Sequence, residues 1–426
     1  MLPLKQKLLN MKLANFSRLK FIDVVSGLKI ADVLGMFRKH QYLSIEQINV
    51  IRQEKLNQLF SLAKHSTIYY SRYNSFNELP VLTKNIIKEN PDHFLSKIYT
   101  GKIFKKATGG TTGTPFIYHT SVDAQSHLWA GLILSWEATG YHFGEKVAFI
   151  AGNALMKSTT RHGIFYKLMN IDLYPAAAMN DEIINRYIQN IRRKKTKLIY
   201  GYAMAINTVA DYILTNNIPV LADLKGIIST SEMLTDTMRA NIEKAFGVKV
   251  FNQYGCNEGG ISAFECEKSK MHLITSRCIY EIDVEGKLIG TDLANEAYIF
   301  MKYDTGDMIE MSDEICSCGR LYPVIKKVIG RSNDLVVDKK NKKFHSSYFN
   351  FLFKKDKSIK QYQVLFDENS ISINLMVNEN FTDHKQKDYL EMIKNNLHFD
   401  LYDIKTNEKF YSKNNAKHSY IIDKRK

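Results

Sequence analysis

Residues 107–116 read ATGGTTGTPF. Thr108, Gly109, Gly110, Thr111, Thr112, Gly113 and Thr114 place a permissive backbone and four hydroxyls in one short loop, just after Lys102, Lys105 and Lys106. Glycine lets successive amides turn into a shared concavity, and threonine adds hydroxyl donors, so the loop suits a polyphosphate. The same composition also suits a flexible surface linker. It is not a Walker A loop, because Gly-Lys-Ser/Thr is absent.

Three further stretches carry candidate chemistry. QYGCNEGG, Gln253–Gly260, sets Glu258 in a glycine-rich loop, where a carboxylate can hold a divalent ion that bridges phosphate oxygens. A lone glutamate in a turn can equally be solvated. KYDTGDM, Lys302–Met308, puts Asp304 and Asp307 around a Thr-Gly turn, where a carboxylate can accept both hydroxyls of a ribose. GRSND, Gly330–Asp334, combines an arginine with a hinge-like polar run. Separately, ECEKSKMH supplies Cys266 and His272, and CSCG supplies Cys316 and Cys318. Two pairs of soft ligands suit a closed tetrahedral zinc site, although the spacing is not that of a standard finger.

Elements must bring these stretches together. The first hundred residues are mainly helical in pattern, as in LSIEQINVIRQEKLNQLFSLAKH. From Gly144 onward, strand-like EKVAFIAG, TKLIYGY, KGIIST and VKVFNQYG alternate with amphipathic NDEIINRYIQNIRRKK and LTDTMRANIEKAFG. Thr235 is the N-cap of the last of these and Gly247 its stop. Such alternation predicts an α/β fold with a substantial parallel sheet, whose ligand sites lie beyond the carboxyl ends of the strands. After the polar run at 329–337 comes a unit of about ninety residues. It contains a hairpin, IKQYQVLFDENSISINLMV, and a helix, DHKQKDYLEMIKNNL.

Composition narrows the class. The chain has 426 residues, 45% of them hydrophobic, enough to bury large cores in two or three domains. No run of 18 apolar residues and no signal-peptide core occur, which points to the cytoplasm. Five cysteines form no disulfide framework. The net charge of +15 favours polyanionic small molecules or an anionic membrane surface. No zinc-finger, helix-turn-helix or RNA-binding pattern accompanies it, so nucleic acid is not expected as a partner.

The order TGGTTGTP, YGCNE, YDTGD, GRSND and a lysine in NNAKHSYII resembles the adenylate-forming superfamily of acyl-CoA synthetases. LPVLTKNIIKEN, ISTSEMLTDTMRANIEKAFG and CSCGRLYPVIKKVIGRSND are similar to its phenylacetate-CoA ligase branch, especially the CapK-like capsular polysaccharide members. The resemblance covers nearly the whole chain.

It implies a large N-terminal domain, 1–330, that binds ATP and an acid, with 1–100 a helical lead-in. It further implies a hinge at 331–334 and a small mobile α+β cap at 335–426. Thr108 to Thr114 would embrace the outer phosphates of ATP. Tyr254 would lie near adenine, Glu258 would bind magnesium, and Asp307 would hold the ribose. Arg331 would approach the ribose or phosphate, Asp334 would serve as hinge, and Lys417 would be the mobile catalytic lysine.

Two positions depart from the pattern. Asn257 replaces the usual threonine, and Ala416 replaces the glycine before Lys417, which leaves Lys413 as a competitor. The implied reaction joins ATP and a carboxylic acid into an acyl-adenylate with release of pyrophosphate. Acyl transfer would follow, to coenzyme A or to an amine or hydroxyl such as an amino sugar or lipid-linked glycan precursor. Similar Cys/His positions in that branch imply a structural zinc. The rival reading is a degenerate module of the same fold that binds nucleotide or acyl ligand without turnover.

Overall fold

The computed structural model describes residues 17–107, 116–152, 160–176, 179–331, 335–353, 356–407, 410 and 420–425. The sequence candidates Thr108 to Thr114, Asp334, Lys413 and Lys417 lie outside these residues.

Local signals start and stop the helices, Thr235 and Gly247 among them as the sequence predicts. Ser44 and Gln47 form a reciprocal capping box for Ile45–Ser66. Thr235 caps Asp236–Phe246 by accepting from Met238 N–H, and Gly247 ends that helix at a left-handed φ of 67°. In Asp181–Arg193 the acidic first turn and basic last turn complement the helix dipole, while Ile184, Tyr187, Ile188 and Ile191 form its buried stripe.

The strands of the main sheet are β3 (Val147–Ala151), β4 (Ile171–Pro175), β5 (Leu198–Tyr202), β6 (Gly226–Thr230), β7 (Val250–Cys256), β8 (Ile261–Glu265), β9 (Met271–Leu273), β10 (Cys278–Ile282), β11 (Lys287–Asp292), β12 (Tyr303–Ser312) and β13 (Val324–Arg331). They are ordered β10-β11-β12-β13-β9-β8-β7-β6-β5-β3-β4. Only the stretch from β4 to β7 is parallel, and every pairing beyond β7 is antiparallel. The parallel component is therefore confined to half the sheet.

Period-2 alternation divides the parallel strands between two cores. Val147, Phe149, Leu198, Tyr200, Ile228 and Phe251 pack with Trp129 and Ile133 of the helix Val122–Glu137. Ala148, Ile150, Ile199, Ile227 and Val250 pack on the opposite face with Ile188, Ile206, Val209 and Phe246. Both faces are covered, which is why VAFIA is buried at all its positions.

Ahead of this sheet, β1 (Phe104–Ala107) pairs antiparallel with β2 (Ile117–Thr120), Ala107 opposite Ile117. Beyond it, β14 (Leu335–Val337) pairs with β15 (Lys343–His345). A four-stranded sheet then combines β16 (Ile359–Phe366), β17 (Ser370–Val377), β18 (Leu401–Thr406) and β19 (Ile421–Asp423) in the order β18-β17-β16-β19. The Asp367 carboxylate accepts from Asn369 and Ser370 N–H and closes the β16–β17 hairpin at DENS. Val364, Phe366, Ile373, Leu375 and Ile393 of the helix Asp383–Asn396 give this part its own core. Among the described residues no helix is long and apolar enough to cross a membrane.

Candidate active site

The antiparallel half of the sheet curls back until β11 lies against the turn after β7. Two glycines permit that contact. A Cβ on Gly290 would come within 2.6 Å of Gly259 O, and one on Gly260, where φ is +71°, within 2.7 Å of Asp292 Cα. Ile261, Leu273, Leu288, Ile309 and Ile325 fill the interior of the curl, with Tyr254 packed against them. The end of β7 and the middle of β12 consequently share one site.

There the Tyr254 phenol donates to Asp307 Oδ2 at 2.7 Å, and Arg331 Nε lies 3.2 Å from Asp307 Oδ1. Asp307 and Arg331 face each other across the β12–β13 ladder. Burial, reinforced by Asp307, raises the Tyr254 pKa and keeps the phenol a donor. The turn expected at Asp304–Asp307 is instead a bulge inside β12, with Gly306 at φ +71° and a register shift against β11. Asp304 Oδ1 accepts from Gly306 N–H, and Thr305 Oγ1 accepts from Asp307 N–H while donating to Leu288 O. The bulge turns Asp307 toward Tyr254 and commits Asp304 to the backbone.

Glu258 occupies the turn between β7 and β8. Its close polar contact among the described residues is the Cys256 thiol, 3.7 Å from Oε2. Burial, with Glu258 alongside, raises the Cys256 pKa, so the sulfur stays protonated and donates. A half-buried carboxylate whose bond among the described residues is a weak S–H donor has lone pairs suited to a hard cation, which fits a magnesium ion shared with phosphate oxygens.

Asn257, the departure from the motif, is fully engaged. Its Nδ2 donates to Tyr118 Oη and its Oδ1 accepts from Arg277 Nη2, both at 2.9 Å. Arg277 is itself paired with Asp292 at 2.8 Å, both side chains essentially sealed from solvent. Tyr118 lies on β2, so one amide ties the Glu258 turn to the β1–β2 pair. On the other strand of that pair, burial, aided by Arg277, pushes Lys106 down to about 8.

The second constellation sits where β8, β9 and the loop before β13 meet. Cys266, His272, Cys316 and Cys318 present ligand atoms that all lie within 4.8 Å of one another. Cys266 Sγ is 3.6 Å from Cys316 Sγ, and Cys318 Sγ is 3.3 Å from His272 Nε2. Tetrahedral ligands about 2.0–2.3 Å from a zinc ion have edges of roughly that length. His272 Nδ1 donates to Tyr322 O, which leaves the Nε2 lone pair aimed at the thiols. Lys268 and Arg320 backbone N–H groups point at Cys266 and Cys318 sulfurs, as suits thiolates. The four residues fit a structural metal with no open coordination position.

Of the sequence candidates, Tyr254, Glu258, Asp307 and Arg331 are brought to one site and the four Cys/His residues to another. The sequence pattern did not single out Tyr118, Arg277 or Asp292. Each is an isolated residue whose partner is distant, 139 residues away for Tyr118 and Asn257.

No family model matches the chain. CapK of Staphylococcus aureus is 26% identical over 327 residues, spanning 70% of this chain and 73% of that protein. Phenylacetate-coenzyme A ligase of Thermus thermophilus is 23% identical over 326 residues, spanning 68% and 72%. Among solved structures, 2-hydroxyisobutyryl-CoA ligase in its postadenylation state superposes with a TM-score of 0.72 at 15% identity. That match covers 91% of this chain and 92% of the other, and establishes a common fold. The chain is thus similar in sequence to CapK and to a phenylacetate-coenzyme A ligase, and it shares the fold of an adenylate-forming ligase.

Proposed function

We propose that the protein activates a carboxylic acid with ATP. A carboxylate oxygen attacks the α-phosphorus, the bond to the bridging oxygen breaks, and acyl-adenylate and pyrophosphate result. The observation that carries this reading is the convergence of Tyr254, Asp307 and Arg331 beside the Glu258 turn, itself tied by Asn257 to the β1–β2 pair. Asp307 holds the ribose hydroxyls, and Tyr254 both fixes that carboxylate and borders adenine. Arg331 approaches the ribose or phosphate, and Thr108 to Thr114 embrace the outer phosphates. Glu258 would hold magnesium, whose chemistry is to neutralise charge on the phosphate oxygens.

The protein's own contribution is mainly electrostatic and positional. Residues 335–426 act as a cap that turns about Asp334 and brings Lys417 to the α-phosphate. The acyl group then passes to coenzyme A or to an amine or hydroxyl. The CapK-like relationship favours an amino sugar or a lipid-linked glycan precursor in surface polysaccharide synthesis. A zinc ion on Cys266, His272, Cys316 and Cys318 would fasten the β8–β9 turn to the loop before β13. The basic surface supports weak contact with anionic membrane, which liposome cosedimentation at low and high salt checks.

The test is pyrophosphate release from ATP and magnesium over a panel of carboxylic acids. At least one acid stimulates release well above the acid-free rate. No stimulation by any acid, with ATP still bound, would replace this reading with that of a non-catalytic binding module.

A further inference from the structure

Glu258 rides on a tight turn, Asn257 to Gly260, closed by Gly260 N–H donating to Asn257 O at 3.2 Å. Turn geometry fixes the local path of the backbone. The direction in which Glu258 projects depends on what grips the ends of the turn.

Both ends rest on one buried ion pair. At the first, Asn257 Oδ1 accepts from Arg277 Nη2 at 2.9 Å. At the last, Gly260 lies so close to Asp292 that a Cβ on the glycine would stand 2.7 Å from Asp292 Cα and 2.8 Å from its Cβ. Arg277 in turn holds Asp292 through Nε to Oδ1 at 3.3 Å and Nη2 to Oδ2 at 2.8 Å. Asp292 Oδ1 also accepts from Ala294 N–H, which fixes the carboxylate to its own strand end. Between the two ends, Gly259 presses on Gly290 of the same strand, β11. Three of the four turn residues are thereby seated on β11 or on the arginine paired with it, and Glu258 is the residue that projects.

A sealed ion pair is a poor device for stability alone. Desolvation of the two charges offsets their attraction, and an apolar pair of similar volume often serves as well or better. What a guanidinium adds is direction, several donors held in one rigid plane. Closing the core beside β10 and β11 would not require the bond from Arg277 to the turn. We propose that Arg277 and Asp292 are positioning residues, which act through Asn257 and Gly260 to hold the Glu258 carboxylate where a nucleotide-bound divalent cation meets it. This rests on the adenylation reading above, and within it on Glu258 as a ligand to magnesium. The departure from the motif at Asn257 then has a use, since one planar amide carries both the donor to Tyr118 and the acceptor from Arg277.

The experiment measures ATP affinity by calorimetry twice for each protein, with excess magnesium and with EDTA, and takes the ratio. No acid and no acceptor are supplied, so turnover plays no part. Wild type binds ATP more tightly with magnesium, and Glu258→Gln loses most of that gain. Partners that orient a metal ligand commonly govern affinity for the ion by about 10- to 100-fold. Asn257→Ala accordingly lowers the ratio by about tenfold or more, while its affinity in EDTA stays within about twofold of wild type. Arg277→Met combined with Asp292→Leu, an apolar exchange of the pair, lowers the ratio likewise with the melting temperature retained. Added to Glu258→Gln, Asn257→Ala has little further effect, because both changes remove the same contact.

An unchanged ratio in Asn257→Ala overturns the proposal. So does an equal loss of affinity with and without magnesium, which marks a general disturbance of the pocket. Should the double exchange fail to fold, Asn257→Ala decides alone. A wild-type ratio in Glu258→Gln defeats the reading of Glu258 as a metal ligand and takes this proposal with it. A protein that shows the expected ratios yet releases no pyrophosphate with any acid defeats adenylation and leaves the positioning role standing.

Discussion

Asp307 is a buried carboxylate with both oxygens in use, one toward Tyr254 and one toward Arg331. Such a group is held in one orientation before any ligand arrives, which is what recognition of a vicinal diol requires. Glu258 differs, since its contact among the described residues is a weak thiol donor, which suits a carboxylate that meets a cation. Glu258→Gln keeps the shape and removes that charge. Acid-dependent pyrophosphate release falls by roughly two to three orders of magnitude with the fold retained by circular dichroism; undiminished release removes Glu258 from the mechanism. A second residue-scale prediction concerns His127, whose Nδ1 donates to Asp123 O inside the helix Val122–Glu137. Burial, with Lys55 and Arg277 nearby, pushes its pKa down to about 3. The unfolded imidazole titrates near 6.5, so above that pH neither state binds the proton. As pH falls from 6.5 toward 3 only the unfolded chain gains it, and stability drops by up to about 1.4 kcal/mol per pH unit. His127→Asn flattens the dependence of the denaturation midpoint between about pH 6.5 and 4.5. An unchanged slope refutes this role. The motif residues were legible because they sit in short, compositionally unusual runs. Tyr118, Arg277 and Asp292 were not, because nothing local marks a residue whose partner arrives through tertiary folding.

At the scale of elements, the helices and parallel strands were readable from period and caps, Thr235 and Gly247 above all. What the sequence hid was the curl of the antiparallel half. It depends on Gly260 and Gly290 letting β11 approach the β7–β8 turn, and two glycines among 22 carry no such message alone. The bulge in β12 was hidden similarly: Thr-Gly reads as a turn, yet the strand continues through it because both flanking stretches find ladder partners. The Cys/His cluster draws on β8–β9 and on the loop before β13, and thus joins neighbouring interior strands of the antiparallel half. Elemental analysis of protein purified without added metal is expected to find about one zinc per chain. Cys316→Ser with Cys318→Ser loses it and lowers the melting temperature, because metal-binding energy is folding energy. Metal-free protein of full stability would reduce these residues to ordinary packing.

For the whole molecule, the large sheet and the four-stranded sheet have separate cores, an arrangement that suits a body and a cap. Lys417 is proposed to enter only when that cap closes. Lys417→Ala therefore abolishes pyrophosphate release but still consumes synthetic acyl-adenylate when the acceptor is supplied, and Lys413→Ala leaves both steps largely intact. Exchanged phenotypes would assign the role to Lys413. The central claim is that the acid's oxygen becomes bonded to the α-phosphorus of ATP, and isotopic labelling tests it most directly. An acid that stimulates pyrophosphate release is supplied with ¹⁸O in its carboxylate, together with the acceptor, and the nucleotide product is weighed by mass spectrometry. Transfer through an acyl-adenylate leaves one labelled oxygen on AMP and none on pyrophosphate. Label recovered in inorganic phosphate alongside ADP, or unlabelled AMP, would contradict adenylation by this site.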